Sequence, residues 1–319
     1  MWDPARIAKE VYDLAAVGPS DPLSPLVKEA LDVIDSCLDD HGACNVSFSF
    51  NGGKDCTVLL HLYAGALARR RLPSKSRSSP SPFTMPPIHA LYIPVPSPFI
   101  ALEEFIENST REYNLDLFSC RTSNPAVESV ATPAATASPP PMNGSAPKDY
   151  LTTKVINAAA SRQDAPRAVG KAKGGEGMRQ ALEMYTERFP NITAILIGTR
   201  RGDPHGAKLS HRNPTDAGWP VFERVNPIIN WTYTDVWSFL RRLEVPYCSL
   251  YDEGYTSLGS TFNTFPNPAL LLEPSIESVA NGAPSKPRYR HAHELQDGSL
   301  ERCGRGNAVS QPSSQLQAS

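Results

Sequence analysis

The chain has 319 residues, with 31 Lys and Arg against 33 Asp and Glu and a formal net charge of -2. That length suits one large domain or two ordinary ones, and that balance excludes a global field for holding nucleic acid or an anionic membrane. The outlier is Pro, 31 residues in all, or roughly twice the usual ~5%, so part of the chain is expected to lie outside any fold.

In chain order, Leu26 to Leu38 places Leu26, Ala30, Leu31, Ile34 and Leu38 on one helical face. Cys44 to Phe50 alternates with period two and reads as a strand, and Cys56 to Leu72 reads as a helix running from apolar to basic. Pro73 to Pro87 is rich in Ser, Pro and basic residues, without periodicity. Ile88 to Ile93 is a short apolar strand. Ser97 to Tyr113 is a helix with Ser97 as its cap and Pro98 in its first turn, and Leu115 to Cys120 is another strand. From about Thr122 to Gly177 the composition turns to Ala, Pro, Ser and Gly. A helix at Met178 to Phe189 and a strand at Thr193 to Ile197 follow, then a further strand at Val225 to Ile229 and a helix at Thr232 to Glu244. The end, Gly306 to Ser319, is rich in Gln and Ser.

Helices between short apolar strands imply an α/β fold, here a Rossmann-like, mostly parallel sheet flanked by helices. The biased segments cannot bury enough apolar surface to offset chain entropy. The expectation is therefore one domain over residues 1–305, with disordered insertions at 73–87 and about 122–177 and a disordered tail at 306–319. Ligands of such sheets bind at the carboxyl ends of the strands, so the loops after Phe50, Ile93 and Ile197 are where a site is expected.

After the first strand comes Asn51-Gly52-Gly53-Lys54-Asp55-Cys56-Thr57, leading directly into a helix. The glycines let backbone approach a ligand closely, and the helix start offers free amides and a positive dipole end to a phosphate. Lys54 adds a mobile cation, and Asp55 can organise a magnesium hydration shell. Neither GxGxxG nor GxxxxGK[ST] is present. After Ile197, Gly198-Thr199-Arg200-Arg201-Gly202-Asp203-Pro204 puts two arginines and an acid in a loop. That set suits either anion binding or a plain exposed turn capped by Asp203. Trp231, at a helix entrance, is equally suited to core packing or to an aromatic wall for a ring system. Near the end, Glu301-Arg302-Cys303-Gly304-Arg305 holds two arginines three apart, able to converge on one phosphate.

The segment Ser47 to Thr57 resembles the pyrophosphate loop of the adenine nucleotide α-hydrolase superfamily. With Asn51 before the glycines and Cys-Thr after Asp55, it is most similar to eukaryotic, fungal-type FAD synthases, in the branch related to phosphoadenosine phosphosulfate reductase. The Gly-x-Arg-x-x-Asp-Pro run and the Glu-Arg-x-Gly-Arg run resemble the same family. The resemblance implies a nucleotidyltransferase, an FMN adenylyltransferase using magnesium, with ATP and FMN as substrates. It implies that Ser49, Phe50, Asn51, Gly52, Gly53, Lys54 and Asp55 hold ATP, and that Gly198, Arg200, Arg201, Asp203 and Trp231 face FMN. Asn51, Asp55, Arg302 and Arg305 are then the catalytic set, and Asp55 meets magnesium through water and phosphate oxygens.

The rival reading is a sulfonucleotide reductase, whose Glu-Cys-Gly-x-His motif supplies an attacking thiol. Here Arg302 separates Glu301 from Cys303, Arg305 stands where His would, and no paired cysteines exist for an iron–sulfur cluster. Lys54 and Asp55 favour triphosphate cleavage instead. A non-catalytic nucleotide-binding module would be expected to carry a damaged loop, and this loop is whole. His291-Ala-His293 has no further ligands beside it in sequence for a metal. Scattered cysteines, the acidic residues Asp3, Glu10 and Asp13 near the start, and no long apolar stretch lead to the expectation of a soluble, cytoplasmic protein whose partners are small molecules. The sequence leaves oligomeric state open, a monomer included.

Overall fold

A computed structural model describes residues 3–72, 85–120, 176–204, 206–272 and 287–306. The expected insertions and tail fall almost wholly outside these residues. At their edges the expectation is corrected. Met85 is buried in the core, and its carbonyl accepts a hydrogen bond from Asn114 Nδ2 at 3.4 Å.

Helices α1 (Pro4–Ala16), α2 (Leu23–His41) and α3 (Lys54–Arg71) share one hydrophobic core with β1 (Val46–Ser49) and β2 (Ile88–Tyr92). Next come α4 (Ile100–Glu112), β3 (Leu115–Ser119), α5 (Glu176–Arg188), β4 (Ala194–Leu196), β5 (Arg212–Pro214), β6 (Glu223–Val225) and α6 (Tyr233–Arg242). The strands form one sheet in the order β3-β2-β1-β4-β6-β5, parallel except for β5 against β6. The chain steps outward from β1 to β2 and β3, then returns to β4 on the other side of β1. That reversal opens a crevice beyond the carboxyl ends of β1 and β4, whose register pairs Phe48 with Leu196. Helix α3 is buried nearly all round, as a helix packed between the sheet and further helices must be. On the opposite face, Ala181 and Tyr185 of α5 pack with Leu91 and Ile195.

Three local features differ from expectation. Helix α1 has the signals of a start, since Asp3 Oδ1 accepts from the amides of Ala5 and Arg6 and Pro4 follows it. Its Ile7, Val11 and Leu14 share one buried stripe. Ser97 does not cap α4. It has φ 50 and hydrogen-bonds Thr261 Oγ1 at 2.7 Å, while Phe99 holds the cap position without a side-chain bond. The strand expected at Val225 to Ile229 lies earlier, at Glu223–Val225, and the chain then turns through hydrogen bonds from Ile229 to Asn226 and from Trp231 to Ile228. Helix α6 opens as its sequence indicates, with Thr232 and Asp235 forming a reciprocal capping box.

Candidate active site

Beyond β1 the backbone turns at Gly52, whose φ is +70 and where a Cβ would lie 2.7 Å from Leu102 Cδ1 of α4. Glycine meets both demands. Asn51 Oδ1 accepts from the Gly53 amide at 3.0 Å and from the Cys56 thiol at 2.8 Å, which orders the loop. The Lys54 amide donates to the Tyr251 hydroxyl at 2.9 Å. Helix α3 has no side-chain cap, so the amides of Asp55 and Cys56 stand at an uncapped helix start, a natural anion seat. Gly198, just past β4, lies against this start, and a Cβ there would come within 3.0 Å of the Cys56 nitrogen.

Behind the loop sits a buried charge cluster. Lys54 is 1% exposed; its Nζ donates to Asp55 Oδ2 at 3.1 Å and to Glu301 Oε1, and lies 5.1 Å from the centre of the Tyr233 ring. Arg200, 3% exposed, has Nη2 at 2.6 Å from Glu301 Oε2 and 3.2 Å from Asp203 Oδ1. Its Nε forms an ion pair with Asp55 Oδ1 at 2.8 Å without hydrogen-bond geometry. Its backbone amide donates to Asp203 Oδ2 at 2.7 Å. Burial opposes the Arg200 charge, but Asp55, Glu301 and Asp203 outweigh it and raise its pKa above the ordinary value. Burial likewise raises the Asp203 carboxyl, against the pull of Arg200. Charges this deep persist because each is paired.

The cluster backs a cavity of about 350 Å³. Its lining includes Ser49, Asn51, Gly53 and Asp55 of the glycine loop, the apolar Ile93, Val95 and Leu102, and Gly198, Asp203 and Arg302. A larger groove, about 500 Å³, runs along α6 past Arg241 and His293. It contains none of the loop residues, so the smaller cavity is the candidate site. Among the described residues the Arg302 guanidinium has no ion-pair partner and is exposed.

The structure thus gathers Ser49, Asn51, Gly53, Lys54, Asp55, Gly198, Asp203 and Arg302 around one cavity, with Arg200 behind it. Other expectations are corrected. Lys54 is not a mobile cation, because its ammonium is locked in buried ion pairs. The Phe50 side chain is in the core beside Phe48, with ring centres 5.6 Å apart, and Gly52 faces α4. Arg201 turns away from the cavity to Asn230 Oδ1 at 2.9 Å and the Leu209 carbonyl at 3.1 Å. Trp231 is core, 3% exposed and edge-on to Phe239 at 5.5 Å, so it forms no flavin wall. Arg305 is not itself part of the cavity lining but is held by the backbone of residues that are. Its Nη1 donates to the Leu258 carbonyl at 2.5 Å, and its guanidinium lies where a Cβ of Gly259 would be. Burial and the charge of Arg302 hold its pKa below the ordinary value.

Residue-type reasoning missed Tyr251, Tyr233 and Glu301, which hold the loop and the cluster through contacts remote in sequence. Tyr251→Phe removes the acceptor of the buried Lys54 amide, which should destabilise the protein by ~1–3 kcal/mol, read as a lower urea midpoint at unchanged slope. The described residues contain no group of three or more His, Cys, Asp or Glu able to hold a metal ion, and His291 Nδ1 pairs instead with Asp252 at 3.0 Å. Cys303 is exposed and outside the cavity lining. Cys56 lines it, but burial pushes its thiol up to about 12, so no thiolate is at hand. Among the described residues no helix is long and apolar enough to cross a membrane.

The sequence matches the phosphoadenosine phosphosulfate reductase domain family over residues 151–266. It is 31% identical over 284 residues to a probable FAD synthase of Caenorhabditis elegans, covering 88% of this chain and 40% of that protein. It is 30% identical over 231 residues to flavin adenine dinucleotide synthase of Saccharomyces cerevisiae, covering 70% of this chain and 59% of the relative. The chain therefore spans less than two thirds of these curated relatives. In structure it is similar to Candida glabrata FMN adenylyltransferase in complex with FAD and inorganic pyrophosphate. The TM-score is 0.64 at 25% identity, over 96% of this chain and 98% of that one.

Proposed function

We propose, for a chain that belongs to the FAD synthase family in its phosphoadenosine phosphosulfate reductase-like branch, that it makes FAD and pyrophosphate from FMN and ATP. The observation that carries this reading is the uncapped start of α3 facing the same cavity as the exposed Arg302.

The FMN phosphate has a second pKa near ~6 and is mostly dianionic at neutral pH, so it needs no general base. One of its oxygens attacks the α-phosphorus of ATP. That bond forms as the bond from the α-phosphorus to the bridging oxygen breaks, and pyrophosphate leaves with the electron pair. The difficulty is charge, since two polyanions must meet. The amides of Asp55 and Cys56 and the α3 dipole would hold triphosphate oxygens, kept uncovered by Gly198. Arg302 would offset charge on the reacting phosphates. Ile93, Val95 and Leu102 offer apolar surface for a base, and Asp203 would position the flavin nucleotide. Lys54 contributes its charge from beneath the loop. Among the described residues no cluster of side chains makes a cage for magnesium, and the ion belongs to this reading as part of the ATP substrate, carried on phosphate oxygens with Asp55 nearby.

The test is to mix purified protein, ATP, magnesium and FMN and to separate FAD and pyrophosphate by chromatography. A folded protein that forms neither would overturn the reading. The reductase alternative predicts dependence on Cys303. Cys303→Ser should instead keep most FAD formation, because no sulfur chemistry is involved and the thiol lies outside the cavity.

A further inference from the structure

We infer that Glu301 is a positioning residue that ties the C-terminal segment to the glycine loop and thereby sets Arg302 in the cavity. The inference rests on the adenylyltransferase reading above. One carboxylate bridges two buried cations from distant parts of the chain, Oε1 meeting Lys54 at the start of α3 and Oε2 meeting Arg200 after β4 at 2.6 Å. Lys54 lies 247 residues before Glu301. The segment is held from its other side by backbone bonds. The Glu301 carbonyl accepts from Thr256 Oγ1 at 2.6 Å, the Leu300 carbonyl from Asn267 Nδ2 at 2.8 Å, and the Gly304 carbonyl from the Phe265 amide at 2.9 Å. Those bonds place the segment against residues 256–267, and Glu301 adds the tie to the loops that frame the cavity.

Arg302 follows immediately and has no ion-pair partner of its own among the described residues. Its location is therefore inherited from the backbone that Glu301 fixes. A misplacement of ~1 Å at a charge-stabilising group commonly costs ~10²-fold. Without the Glu301 charge, Lys54 still has Asp55, and Arg200 still has Asp55 and Asp203, so the main loss is the tie.

The experiment compares Glu301→Gln with wild type, alone and in an Arg302→Ala background. Glu301→Gln should lower kcat at least tenfold while leaving KM for ATP and FMN within about threefold. In the Arg302→Ala background it should cost less than about twofold more, because a residue acting through Arg302 has nothing left to position. Glu301→Asp keeps the charge but shortens the reach; it should not restore the rate, and it carries the same comparison should Glu301→Gln fail to fold. Amide exchange over residues 298–305 should rise in either variant relative to α3. Unchanged kcat, fully additive losses, rescue by Asp, or unchanged exchange would each overturn the inference. Should the wild-type protein make no FAD, the reading of function fails, while the exchange measurement still decides whether Glu301 ties the segment down.

Discussion

Arg200→Met should remove about 3–5 kcal/mol of unfolding free energy, the usual cost of deleting one partner from a buried charge group. Arg200 touches Asp55, Asp203 and Glu301 at once; without its guanidinium Lys54 alone would face Asp55 and Glu301, and Asp203 would keep only the bond from the residue-200 amide. Methionine fills much of the same volume, so cavity formation is a minor part of the loss. The deficit should also depend on pH. Burial already raises the Asp203 carboxyl in the intact protein, and removing the arginine raises it further. A carboxyl with a raised folded pKa binds more protons folded than unfolded, so its contribution improves as pH falls through that value. The gap between variant and wild type should therefore narrow from neutral to mildly acidic pH. Urea unfolding at several pH values measures both effects, and a variant within about 0.5 kcal/mol of wild type at neutral pH would refute the role given to Arg200.

On the adenylyltransferase reading, Arg302→Ala should lower the turnover of FAD formation by roughly 10²-fold or more, the scale for losing one preorganised donor to developing charge. Stability should hardly change, because the side chain is exposed and makes no ion pair among the described residues. This separates it from Arg200, whose loss acts on the fold first. Thermal unfolding beside steady-state kinetics with ATP and FMN distinguishes the two cases. Near-wild-type turnover in a folded Arg302→Ala protein would remove Arg302 from the mechanism.

The parts of the site that are legible in the chain are those made by neighbours in sequence. The run from β1 through Asn51, Gly52 and Gly53 into α3 is strand, turn and helix in succession. Its anion seat follows from the geometry of a helix start and needs no distant partner. The period-two and period-3.6 patterns locate most elements for the same reason, and Thr232 with Asp235 marks the start of α6. β5 escapes notice because Arg212, Asn213 and Pro214 carry no apolar alternation; its strand character comes from pairing with β6. The direction of a side chain is also beyond local pattern. Arg200 and Arg201 are adjacent and identical in type, yet one is buried among carboxylates and the other reaches outward to Asn230. Trp231 suits a core or a ligand wall equally until Phe239 is placed against it. Charge pairing is the extreme case. Nothing local to Lys54 indicates Glu301, since Coulomb attraction acts through space and only the completed fold brings these two distant residues within reach.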